Sequence, residues 1–165
     1  MGRISSKIDI RNIISKHFKI FQSADGNDDI SDYWTFFFYP ILAGAISLIS
    51  PINSSLENLL TVLFSVFIGL FLNLFMLLIS FKPNENLSPK RLKSVKRTIN
   101  ETVISTIYTI FLSVIQLILI LVLSVFDNYY VVIGLSFLIY SLLAHIFVVF
   151  LMILKRIYIL YDSNS

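Results

Sequence analysis

Residues 59–81 read LLTVLFSVFIGLFLNLFMLLISF, without one Asp, Glu, Lys or Arg. A helix that crosses the ~30 Å hydrocarbon core of a bilayer needs about 20 predominantly apolar residues. A helix on the surface of a soluble core keeps a charged face instead. The stretch therefore reads as a transmembrane helix. Three further runs have the same character: Thr35 to Ile52, Val103 to Phe126, and Tyr130 to Leu154. The first is the shortest, with Pro40 near its start. Tyr33, Trp34, Tyr129, Tyr130, Tyr158 and Tyr161 lie at the ends of the runs, where amphipathic rings anchor at the membrane interface.

Composition agrees. Of 165 residues, 56% are hydrophobic and 14% charged, and the mean hydropathy is +0.82. There is no cysteine, which excludes disulfides, thiolate nucleophiles and cysteine-ligated metals. The expected fold class is an all-α membrane protein with four transmembrane helices arranged as two antiparallel hairpins. Residues 1–32 form an N-terminal region outside those spans, and residues 33–165 form the transmembrane domain.

Charge gives orientation. All 13 basic residues lie before the first span, between the second and third, or after the fourth. The other two loops, 53–58 and 127–129, hold only the acids Glu57 and Asp127. By the positive-inside rule both termini and the central loop are expected in the cytoplasm, in a multi-pass protein of the cell inner membrane. The outer loops leave no room for an external domain. Residues 1–34 lack the apolar core of a cleaved signal peptide.

The regions expected in the cytoplasm carry pattern of their own. Residues 5–22 read as an amphipathic helix, with Ser6 as cap, Asp9 in the first turn, and Ile10, Ile14, Phe18 and Phe21 on one stripe. It either packs on the protein, lies in the membrane interface, or docks a partner. SADGNDDISD, residues 23–32, reads as an acidic linker. Its alternating acids do not complete a calcium loop, because the glycine is misplaced and no twelfth-position Glu follows. Ser88 and Pro89 make a helix start, and no glycine or proline follows until after Ile133. One helix is expected from Pro89 to Phe126, with a basic extension over 88–102. Lys90, Arg91, Lys93, Lys96 and Arg97 ring an apolar stripe of Leu92, Val95, Ile99 and Val103 there. The topology accounts for these cations without nucleic acid. They also suit a cytoplasmic protein partner or anionic lipid, which attracts each cation with about 1 kcal/mol.

No catalytic constellation is present. His17 and His145 are far apart in sequence, and the spans contain no carboxylate. An enzyme or an ion-coupled pump lacks its working groups, and no cofactor or metal is expected. The spans do carry ordered polarity. Thr102, Ser105, Thr106, Thr109, Ser113 and Gln116 share a helical sector that Ser124 continues. Asn73 and His145 also fall near mid-membrane. Asn73, Thr109, Ser113, Gln116 and His145 either pack helices together, with the imidazole donating to Asn73 or Gln116, or line a polar path in a homo-oligomer. Gly44, Ser65, Gly69, Gly134 and Ser141 are the small residues expected at helix contacts.

Residues 31–81, SDYWTFFFYPILAGAISL…LLTVLFSVFIGLFLNLFMLLI, resemble small bacterial multi-span membrane proteins that accompany antiphage defence systems. The resemblance implies a membrane-damaging effector triggered from the cytoplasm. It supplies no catalytic motif. The residues alone leave two other roles open: a membrane anchor or scaffold subunit for a cytoplasmic partner, and a small channel or transporter subunit.

Overall fold

The computed structural model describes residues 13–17, 30–83 and 88–164. Every regular element among them is helical. After a helical segment at 13–17, the chain forms α1 (Ile30–Ala45), a 3₁₀ turn (Ile46–Leu48), α2 (Ser54–Ser80), α3 (Pro89–Leu123) and α4 (Tyr129–Asn164). Among the described residues, three helices are long and apolar enough to cross a membrane: Ser54–Ser80, Pro89–Leu123 and Tyr129–Tyr161, beside a shorter apolar helix over Phe38–Leu48.

Local chemistry sets these limits. Asn53 caps α2, its Oδ1 accepting from Leu56 N–H at 2.9 Å. Ser88 caps α3 by accepting from Arg91 N–H, with Pro89 behind it in the first turn. The helix then runs unbroken to Leu123, three residues short of the expected Phe126. The first span departs further from its expected 35–52. Its α-helix ends at Ala45, and the chain tightens so that Ile49 and Ser50 N–H both donate to Ile46 O. Pro51 follows, and proline disfavours helix at the residue before it. The strand of chain leaving this turn is tied to α4, where Ser136 Oγ accepts from Ile52 N–H at 3.0 Å. The fourth helix overruns the expected 130–154 and carries Lys155 and Arg156 within it.

α3 is central, packed on α2 and on α4, while α1 and its 3₁₀ turn lie against α4 rather than against α2. The main core joins Phe64 and Phe71 of α2, Leu112 and Ile120 of α3, and Ile139, Ile146, Val149 and Ile153 of α4. Phe150 of α4 meets Phe67 and Phe71 of α2 at ring separations of 6.2 and 5.8 Å. A second cluster lies toward the basic end, where Val95, Ile99 and Val103 of α3 meet Leu74, Leu78 and Phe81 and the distant Leu160. The apolar stripe of the basic extension is thus covered by the chain's own α2 and α4. The outer faces stay apolar: Leu59, Val62, Leu70, Met76 and Leu77 of α2 are all more than half exposed.

Gly44 marks the closest approach of α1 to α4. A Cβ there would collide with Ser141 Oγ and come within 2.8 Å of the Phe137 ring. Gly69 and Gly134 have nothing within 4 Å of such a Cβ, so neither mediates helix packing within the described chain. Overpacking a tight contact costs about 1–3 kcal/mol. Gly44→Ala is expected to lower stability by that amount, whereas Gly69→Ala and Gly134→Ala do not. Unfolding in a denaturing detergent titration checks the contrast.

Candidate functional site

The polar sector of α3 is its inner face. Thr102, Ser105, Thr106, Thr109, Ser113 and Gln116 are all buried. Their hydroxyls bond along the helix they belong to: Thr102 to Thr98 O, Thr106 to Thr102 O, Thr109 to Ser105 O and Ser113 to Thr109 O, at 2.7–2.9 Å. Each donor is satisfied four residues back, and the side chains stay small enough for neighbouring helices to close over them. Within one chain this sector packs and does not line an open path. Gln116 reaches across to α4, donating from Nε2 to Ile139 O at 3.0 Å. Its Oε1 has no hydrogen-bond partner among the described residues. Ser124 leaves the sector: it is exposed and donates to Leu121 O.

Toward the basic end, the sector opens into a network of ionisable groups. Glu101 accepts from Arg97 Nε at 2.8 Å and pairs with Arg156 Nη2 of α4 at 3.7 Å. Arg156 Nη1 donates to Ser105 Oγ at 3.1 Å. The Arg156 side chain is only 14% exposed. A guanidinium so enclosed needs a carboxylate and oriented oxygens around it.

One turn or two deeper, the Tyr108 hydroxyl and His145 Nε2 are 3.1 Å apart. The other face of Tyr108 carries His17, stacked at 4.0 Å between ring centroids with 19° between planes. His17 is buried, and Ile13 and Ile14 of its segment pack against the main core. Burial pushes the His17 imidazole down to about 3 from its ordinary 6.5, and the nearby His145 and Arg156 push the same way. The two histidines that sequence separates are therefore joined through Tyr108. The remainder of the expected helix at 5–22, including Ser6, Asp9, Ile10, Phe18 and Phe21, lies outside the described residues, as does most of the acidic linker.

The other expected residues divide. His145 is bonded to Tyr108 and not to Asn73 or Gln116. Thr109, Ser113 and Gln116 are close-packed on α3. Gly44 and Ser141 meet at the α1–α4 contact. Ser65 is exposed and donates to Thr61 O on its own helix. Asn73 is exposed on α2, away from the network. Lys90, Arg91, Lys93, Lys96 and Arg97 are all exposed, with Arg97 drawn to Glu101. Among the described residues, no group of three His, Asp or Glu comes together as a metal site. The arrangement can hold one segment of the chain against α3 and α4.

Tyr108, Glu101 and Arg156 were not singled out from the sequence, and His17 was noted only as far from His145. Glu101 and Arg156 lie just beyond the facing ends of the third and fourth apolar runs, so opposite charge at one membrane edge was the available signal. Comparison with protein-family models, with curated proteins and with solved structures returns no match.

Two substitutions test the network. Tyr108→Phe keeps the stack on His17 and removes the hydroxyl, and is expected to cost about 1 kcal/mol. Glu101→Ala leaves Arg156 enclosed without its carboxylate, and is expected to cost about 1.5–3 kcal/mol, the worth of a charge-assisted hydrogen bond. Equilibrium unfolding of each variant beside the wild type measures both.

Proposed function

We propose that this chain is an effector of the inner membrane, crossing it four times as two antiparallel hairpins with both termini in the cytoplasm. Copies assemble and permeabilise the membrane when a cytoplasmic partner releases them, in the service of antiphage defence. The one-sided distribution of the basic residues supports the topology. The resemblance of residues 31–81 to defence-associated membrane proteins supports the setting.

The observation that carries assembly is Asn73. Its amide is exposed on α2, in the middle of a charge-free run. No hydrogen bond to it is formed among the described residues. Hydrocarbon cannot satisfy an amide, whereas a second amide can, because the group both donates and accepts. Ser65 and Gly69 stand on the same face at four-residue steps and are exposed as well, which permits close approach of a second helix. The hydroxyl sector of α3 is closed inside each subunit, so a polar path forms between copies, along α2.

A second reading makes the chain a scaffold. The exposed cations Lys90, Arg91, Lys93, Lys96 and Arg97 favour it, since they offer a docking face to an acidic cytoplasmic protein. A channel or transporter subunit would differ from the effector by conducting without a trigger.

Asn73→Leu separates these roles. An interhelical amide bond is worth about 1–2 kcal/mol in model helices, so the variant is expected to weaken association about tenfold. Crosslinking through Ser65→Cys, a unique thiol in a chain without cysteine, reads association. A membrane-potential dye in induced cells reads permeabilisation. Loss of both is expected. Unchanged depolarisation with Asn73→Leu overturns the assembly reading. Silence of the wild type together with its activated partner system overturns the effector.

A further inference from the structure

The turn between α1 and α2 is anchored well inside the end of α4. Ile52 N–H donates to Ser136 Oγ at 3.0 Å, and the Tyr140 hydroxyl donates to Ser50 O at 3.2 Å. α4 begins at Tyr129. Positions 136 and 140 are therefore about 10–16 Å below its start, at 1.5 Å per residue. Ring contacts fix the same level independently. Phe150 meets both Phe67 and Phe71, so it is level with residue 69 of α2. Leu160 and Leu78, which share a cluster, keep that spacing further along. Ser54, the first residue of α2, is then level with residue 135 of α4. α3, by contrast, keeps pace with α4. Gln116 bonds to Ile139 O, so the end of α3 at Leu123 is level with residue 132.

The sunken turn is polar. Ser50, Asn53, Ser54, Ser55 and Asn58 are exposed there, and Glu57 is half-buried. The helices that rise past it are apolar outside. Ile118 of α3 and Leu138 of α4 are exposed at the level of the turn, and Leu121 and Val125 are exposed above it. A flat bilayer edge suits neither set. Drawn at the ends of α3 and α4, it sinks amides, hydroxyls and a carboxylate into hydrocarbon. Drawn at the turn, it leaves Ile118, Leu121, Val125 and Leu138 in water.

We propose that residues 50–58 form a notch in the membrane surface, filled by lipid headgroups and water, while hydrocarbon still covers α3 and α4 at the same level. At the other end of α4, Lys155 is exposed and ends the charge-free run. Asn58 is level with residue 139, so residues 140–154 separate the notch from this cation. That is roughly 22 Å at 1.5 Å per residue, against ~30 Å for an ordinary hydrocarbon core. A bilayer meets so short an apolar stretch by thinning. A single copy thus thins the membrane beside α2. This rests on the membrane-crossing part of the proposed function and requires neither assembly nor a trigger.

Depth measurement by spin labels tests the notch. The chain has no cysteine, so Asn58→Cys, Ile118→Cys, Leu138→Cys and Leu70→Cys each carry one nitroxide. Each full-length variant is placed in liposomes at low protein-to-lipid ratio. Collisions with oxygen, which concentrates in hydrocarbon, are compared with collisions with a water-soluble nickel chelate present on both faces. The ratio of chelate to oxygen collisions is expected to be about tenfold higher at 58 than at 118 and 138, since hydrocarbon excludes a polar chelate. Leu70, exposed in the middle of α2, is expected to favour oxygen. Ser55→Cys replaces Asn58→Cys if the latter does not fold. Oxygen-dominated collisions at 58, 118 and 138 alike place the turn in lipid and overturn the notch. Chelate-dominated collisions at all three, with oxygen at 70, leave α3 and α4 standing in water above a flat bilayer and also overturn it. Chelate-dominated collisions at 70 as well overturn the membrane-crossing reading with it. Leakage and association are not read, so a protein that neither leaks nor assembles can still show the notch.

Discussion

The structure depends on how α3 disposes of its polar groups. A central helix that buries Thr102, Thr106, Thr109 and Ser113 between apolar neighbours would ordinarily owe each hydroxyl a partner on another helix. Here the helix supplies the partner itself, the carbonyl four residues back. The inner face then behaves as a narrow, nearly apolar surface. Two helices can close on it without matching hydroxyl to hydroxyl. Gln116 is the exception that gives direction, since its amide reaches Ile139 O and sets the level of α4 against α3. The bond of Arg156 to Ser105 sets the same level a second time, nearer the basic end. Two such ties, well apart along the helices, resist both sliding and splaying.

What the sequence made legible was what hydropathy and capping control. Charge-free length marked the apolar helices, and Ser88 with Pro89 marked the start of α3 to the residue. The four-residue steps of Thr and Ser placed the buried sector of α3. What it did not make legible depends on the order in which helices pack. Periodicity assigns a residue to a face and does not say which neighbour covers that face. Asn73 and Gln116 looked equivalent, each an amide near mid-span. One is enclosed by α4 and the other faces outward, because α2 packs on α3 through Phe64 and Phe71 and not through its small residues. Gly69 and Gly44 divide for the same reason.

The polar network shows the same limit. His17 and His145 carry no mutual signal at their separation in sequence. Tyr108 was one aromatic residue among many, and only its place between the two imidazoles distinguishes it. The amphipathic stripe at Ile10, Ile14, Phe18 and Phe21 announced a helix with an apolar side. Its polar flank gave no sign that a histidine would be stacked and buried.

The buried polarity of α3 is largely satisfied, with Gln116 Oε1 the exception among the described residues. The hydroxyls of α3 are closed within their helix, and the Arg156 guanidinium is closed by Glu101 and Ser105. The Asn73 amide faces outward on α2. α3 packs on α2 and also carries Tyr108 against His17, so any influence of the segment at 13–17 on the outer face of α2 has to pass through α3. An inner face built of small, self-satisfied side chains suits that passage. A small shift of α3 breaks none of the hydroxyl bonds it makes to itself, and is opposed by the ties of Gln116 and Ser105 to α4.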